Sequence, residues 1–148
     1  TDSAEAAVRS ADIVVTSTSS QTPVLSGDWL APGTHINAMG ANIATRRELD
    51  DAALLRAASI SVDLLEQAKL EAGDLIQGFR EAPERWEAVT ELKEIVTGMQ
   101  PGRKSPDDVT IFKSTGIALW DVAAAGAIYY EALKTGHGTE IELSEGLP

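Results

Sequence analysis

The run Asp12-Ile13-Val14-Val15-Thr16 constrains the fold of this chain more than any other feature. Three adjacent β-branched apolar residues, in place of strict alternation, predict a strand covered on both faces, as in a parallel sheet. The rest of the sequence repeats the theme of short strands between helical patterns. Ser3 is placed to cap a helix over 4–10. Residues 17–33 read as a long loop with Pro23, Gly27 and Pro32-Gly33, followed by a strand over 34–39 that ends at Gly40. Thr45-Arg46-Arg47-Glu48 has the spacing of a capping box and predicts a helix through about Ala57. Ser59-Ile60-Ser61-Val62 reads as a third strand, 63–72 as a helix and 73–83 as a connector.

From Glu84 the spacing predicts a single amphipathic helix. Trp86, Val89, Leu92 and Val96 form an apolar stripe, and Glu84, Glu87, Glu91 and Glu94 a solvated acidic one. Residues 98–108 read as a loop, Val109–Lys113 as a fourth strand, and Gly116 to about Lys134 as a final helix. That helix is apolar almost all round, with charges only at Asp121, Glu131 and its end, so it is expected to pack against a sheet or a partner. Alternating strands and helices imply an α/β fold with a mostly parallel sheet.

Composition removes several function classes. The chain has 148 residues, 43% hydrophobic and 24% charged, with a mean hydropathy of -0.07, as in ordinary globular domains. No apolar run approaches the roughly 20 residues a bilayer span needs. A net charge of -11 opposes nucleic-acid binding, which depends on neutralising phosphates. With no cysteine, thiolate chemistry and disulfides are excluded. His35 and His137 lack partners at metal-ligand spacing, so no metal site is expected.

In open α/β sheets ligands bind beyond the carboxyl ends of the strands, and three such ends carry suitable groups. Thr16-Ser17-Thr18 offers hydroxyls, which also suit a plain turn. Met39-Gly40-Ala41-Asn42 precedes Arg46 and Arg47; the pair suits an anion, or equally balances Glu48, Asp50 and Asp51. Phe112-Lys113-Ser114-Thr115-Gly116 again joins a strand to a helix, where Ser114 or Thr115 also suits an ordinary N-cap. Asp121 in an apolar helix reads as a structural hydrogen-bonding carboxylate. No G-x-S-x-G elbow or Walker A pattern occurs, and Gly136-His137-Gly138 is no dinucleotide fingerprint.

Taken in order, Ala11–Thr16, Gly33-Thr34-His35-Ile36-Asn37-Ala38-Met39-Gly40-Ala41, Arg47-Glu48-Leu49-Asp50, Glu71-Ala72-Gly73-Asp74, Pro101-Gly102-Arg103 and Phe112-Lys113-Ser114-Thr115-Gly116-Ile117-Ala118 with Asp121 resemble the ornithine cyclodeaminase/mu-crystallin family. The resemblance runs unbroken from about Ser3 to Gly138. It implies a Rossmann-type NAD(P)-binding domain in a cytoplasmic, homodimeric protein acting on an amino acid or cyclic imine. By the same resemblance Thr16, Ser17, Met39, Gly40, Arg46 and Ser114 contact NAD or NADP, and Thr115 faces the substrate. Asn42 stands where the cyclodeaminases carry a catalytic aspartate. An amide cannot take up a proton as a carboxylate does, so an imine or ketimine reductase, or an amino-acid dehydrogenase, suits this sequence better than a cyclodeaminase.

The family's substrate and dimerisation domain and its glycine-rich phosphate loop have no counterpart here. The chain, which opens Thr1-Asp2-Ser3, is therefore expected to be the carboxyl-terminal half of a family member, inactive alone. Two alternatives accompany that reading. One is a non-catalytic, mu-crystallin-like protein that binds cofactor or a small molecule. The other is a stand-alone half-domain that dimerises.

Overall fold

A computed structural model describes residues 1–141. The chain divides into two compact units, residues 1–116 and residues 117 onward. The first is an α/β unit built on five parallel strands: β1 (Ile13–Thr16), β2 (His35–Ala38), β3 (Ala57–Val62), β4 (Val89–Glu91) and β5 (Val109–Lys113), in the spatial order β1-β2-β5-β3-β4. The helices are α1 (Ala4–Val8), α2 (Asp51–Arg56), α3 (Leu65–Glu71), α4 (Gly73–Gly78) and α5 (Leu92–Val96), with two short 3-10 turns at Gly27–Trp29 and Pro83–Ala88. The second unit contains α6 (Ala118–Thr135).

The all-parallel α/β architecture agrees with the alternation of patterns in the sequence. Along β2 and β5 one set of residues points into the core and the other is half-buried, as the period of two requires. Ile36, Ile111 and Val62 supply the sheet's share of the core. Leu54, Leu75 and Phe79, from α2 and the region of α4, complete it, together with Leu25 and Leu49 from the loops. Trp86 packs edge-on against Phe79, with ring centroids 5.3 Å apart, and the Arg85 guanidinium lies over the Phe79 ring, 4.5 Å from its centroid.

Several expectations are corrected. β1 is not covered on both faces among the described residues: Val14 and Thr16 are buried, whereas Ile13 and Val15 are 65% and 61% exposed. The predicted helix over 84–96 does not form as one piece. Val89–Glu91 extends and pairs with Ile60–Val62 of β3, because burying Val89 against the sheet outweighs a weak helical preference. Two short turns of helix remain on either side. The connector after Ala72 is instead helical, as α4, and buries Leu75.

The capping box at Thr45 is also absent. The helix begins six residues later, at Asp51, with Asp50 as its N-cap accepting a hydrogen bond from the Ala53 amide at 2.7 Å. Glu48 lies at a bend, and Leu49 bridges Leu25 in a short parallel pairing. Neither Ser114 nor Thr115 caps α6, whose N-cap, Ile117, has no side-chain capping bond. No residue of α6 is buried; Leu119, Val122, Ile128, Tyr129, Tyr130 and Leu133 are all exposed. Asp121 is exposed as well, so its charge needs no internal partner. The helix ends at Gly136, whose left-handed φ of 70° suits a residue without a Cβ.

Candidate functional site

Because every strand is parallel, the carboxyl ends of β1, β2, β5 and β3 lie in one row. Thr16 pairs in register with Ala38, Ala38 with Lys113, and Lys113 with Val62. The residues that follow these positions are Ser17, Met39, Ser114 and Asp63. The three segments picked out in the sequence thus converge at one rim of the sheet.

Two buried carboxylates shape that rim. Asp63 follows β3, and its Oδ2 accepts hydrogen bonds from the Ser114 hydroxyl at 2.7 Å and from the Thr115 and Gly116 amides at 2.7 and 2.8 Å. A single carboxylate therefore folds the turn after β5, which also places Gly116 at φ 80°, a conformation that favours glycine. Glu48 is fully buried. Its Oε1 accepts from the Thr18 amide and its Oε2 from the Gly40 amide, at 2.5 and 2.8 Å. These donors hold its carboxyl below the usual range against the opposing effect of burial, which is the largest single influence. Thr16 Oγ1 is buried without a well-aligned hydrogen bond, yet lies close enough to Glu48 to favour its charge.

Beneath the rim sits Lys113, fully buried. Its Nζ donates to the Ala38 carbonyl at 3.2 Å and lies 3.3 Å from Asp74 Oδ2. Burial lowers the Lys113 pKa, while Asp74, Glu48 and Asp63 act in the opposite direction. Asp74 Oδ1 in turn accepts from the amides of Glu48 and Leu49 at 2.6 and 2.9 Å. One lysine and three carboxylates thereby tie the ends of β2, β3 and β5 to the segment that carries Glu48.

The residues selected from the sequence fall into two groups. Ser17, Met39 and Asn42 are exposed at the rim, and Gly40, Arg46 and Thr115 are partly exposed. Thr16 and Ser114 are buried, at 6% and 3%, and Ser114 is committed to Asp63. Asn42 donates its amide to the Gly40 carbonyl at 3.0 Å, so its side chain stands on a tight turn. Arg47 is engaged by Asp51 at 2.7 Å and by the Leu49 carbonyl at 2.8 Å, as its charge-balancing reading predicts. The exposed set combines a thioether, hydroxyls, an amide and a guanidinium. That donor chemistry fits a dinucleotide, with flat rings, sugar hydroxyls and anionic phosphates. The loops also pack closely on one another: a Cβ on Gly40 would strike backbone atoms of Thr18 and the Glu48 carboxylate.

Sequence reasoning missed Glu48, Asp63, Asp74 and Lys113 as members of this region. The available signal was three acids and a lysine, each beside a strand or turn that must be buried, where a charge needs partners. Among the described residues no cluster of acids and histidines has the arrangement of a metal site, and no helix is long and apolar enough to cross a membrane.

A family model described as the ornithine cyclodeaminase/mu-crystallin family matches residues 1–136. The alanine dehydrogenase of Archaeoglobus fulgidus is 41% identical over 88% of this chain and 40% of its own length. The ketimine reductase mu-crystallin of Mus musculus is 39% identical over 86% of this chain and 38% of its own. Among solved structures, the Delta(1)-pyrroline-2-carboxylate reductase of Thermococcus litoralis, in complex with NADH and L-proline, superposes with a TM-score of 0.84 at 35% identity. That match covers 95% of this chain and 44% of the reductase. The chain thus spans less than half the length of the relatives it matches.

Proposed function

This chain belongs to the ornithine cyclodeaminase/mu-crystallin family, and on that premise we propose that it is the carboxyl-terminal part of the NAD(P)-binding domain of an imine or ketimine reductase, or of an amino-acid dehydrogenase. One observation carries the reading: Ser17, Met39, Gly40 and Thr115 converge at the carboxyl ends of adjacent parallel strands, where open α/β sheets bind ligands.

In this reading Thr16, Ser17, Met39, Gly40, Arg46 and Ser114 hold the dinucleotide and Thr115 faces the substrate. NAD(P)H, when bound, supplies the hydride that reduces a carbon–nitrogen double bond. The chain's own residues bind and orient. Met39 offers an apolar surface to a ring, and the Arg46 guanidinium a charge for a phosphate or carboxylate. Asp63 keeps the Ser114–Gly116 turn in one shape beneath Thr115. Asn42 can donate and accept hydrogen bonds but cannot hold a proton, so it suits polarising a substrate better than acid–base work. The proposal extends to a cytoplasmic homodimer, checked by cell fractionation and light scattering of the full-length protein.

The deciding experiment is oxidation of NADH and NADPH by the full-length protein with a cyclic imine such as a pyrroline carboxylate. Turnover supports the reductase. Tight cofactor binding with no turnover on imines or amino acids replaces it with the non-catalytic binding protein.

A further inference from the structure

Glu48 is an expensive residue in its position. Moving a carboxylate into a protein interior costs several kcal/mol unless it is paired and hydrogen-bonded, and apolar residues such as its neighbour Leu49 fill buried space without that cost. The site nevertheless spends two backbone amides on it. Those amides belong to Thr18 and Gly40, which lie directly after the ends of β1 and β2 and beside Ser17 and Met39. Between the two loops Met39 donates its amide to the Thr16 carbonyl at 2.8 Å, and beyond that point the strands no longer pair; the loop after β2 is otherwise tied to α4, through the Gly73 amide on the Ala41 carbonyl and Gln77 on the Ala44 and Arg46 carbonyls.

Glu48 itself is well anchored. Its carbonyl accepts from the Val24 and Leu25 amides at 2.8 and 2.9 Å, and its amide donates to Asp74, which is paired with Lys113. Its backbone is therefore held rigidly from below, while its side chain reaches across two separate loops.

We propose that Glu48 is the positioning residue of the cofactor site, a strut whose two carboxylate oxygens keep the loops after β1 and β2 in one relative position. The inference rests on the functional reading above and adds a residue to that site. Reach and two acceptors are both essential. A glutamine has one acceptor oxygen and would turn an NH2 group toward one of the amides. An aspartate keeps the charge that faces Lys113 but is one methylene too short to span both loops. The same strut accounts for Gly40, since a Cβ there would meet Glu48 Oε1 and Thr18.

The test compares the full-length protein with Glu48→Gln, Glu48→Asp and Leu54→Ala, the last removing buried core volume where α2 meets Gly78 of α4. Amide hydrogen exchange of the cofactor-free proteins is measured first, then the dissociation constant for NADH and NADPH by fluorescence titration, with the melting temperature of each variant. In Glu48→Gln, and in Glu48→Asp if the amide variant does not fold, the Thr18 and Gly40 amides should lose protection while Ile111 in β5 keeps its own. The dissociation constant should rise at least tenfold. Leu54→Ala should lower the melting temperature without changing that constant. Unchanged cofactor affinity in both Glu48 variants, alongside binding by the unaltered protein, overturns the strut and leaves the functional reading intact. Equal loss of affinity in Leu54→Ala also overturns it, because general destabilisation would then suffice. Failure of the unaltered protein to bind either dinucleotide overturns the functional reading and the strut together.

Discussion

Lys113 and Asp74 allow the sharpest energetic prediction. Both are fully buried, with Nζ and Oδ2 3.3 Å apart. Removing one member of a buried pair costs about 3–5 kcal/mol, because the other charge is left uncompensated. Lys113→Met should reach that range at neutral pH, since it leaves the buried Asp74 without its cation, removes the positive charge that Glu48 and Asp63 also face, and deletes the bond to the Ala38 carbonyl. Asp74→Asn should cost about as much through Lys113, while its remaining carbonyl oxygen still accepts from the Glu48 and Leu49 amides. The double variant Lys113→Met/Asp74→Asn removes both charges and keeps those two amides satisfied. Its cost should fall below the sum of the single costs by about 2–3 kcal/mol, the upper part of the range for residues in direct contact. Native-state hydrogen exchange of the β2 and β5 amides reports the free energies locally, which avoids assuming that a larger protein unfolds in one step. Additivity within about 0.5 kcal/mol would refute the reasoning.

Three further outcomes follow from the same structure. Gly73→Ala should destabilise by about 1–3 kcal/mol, because a Cβ there would collide with the Arg46 and Ile43 carbonyls; a gain in melting temperature, as helix propensity alone predicts, would show that α4 shifts freely. Burial lowers the His35 pKa from 6.5, so the folded state favours the neutral ring. Stability should be fully present above about pH 6.5 and decline below it, down through the depressed folded pKa, and His35→Gln should remove that segment of a pH–melting curve. If the resemblance assigns position 42 correctly, Asn42→Asp in the full-length protein should release ammonia from ornithine; a coupled ammonia assay showing no gain would mean that this position does not choose the reaction.

Much of the fold was legible because its signals are local. β1 and β5 appear in the sequence as β-branched runs, and their ends coincide with Thr16 and Lys113. The rim positions of Ser17, Met39, Asn42 and Thr115 were also legible, since these residues follow strands that any parallel reading aligns. The segment 84–96 was not. Its apolar spacing fits a helix, and only the neighbouring β3 shows that Val89–Glu91 is worth more as an edge strand. Glu48, expected in a capping box, turns inward for a related reason, and Asp50 caps α2 instead: both are acids near a helix start, and the sequence does not reveal which one the chain buries.

Taken by itself, then, the order of residues determined the α/β class, the parallel sheet, the family and the surface chemistry of the rim, because hydrophobic period and motif spacing are written along the chain. Tertiary structure alone decided what lies under that rim. Glu48 meets Thr18 across 30 positions, Asp63 meets Ser114 across 51, and Lys113 meets the Ala38 carbonyl across 75. A buried charge is tolerable only with partners supplied from elsewhere in the chain, so a local pattern can flag the charge but not the partners that meet it.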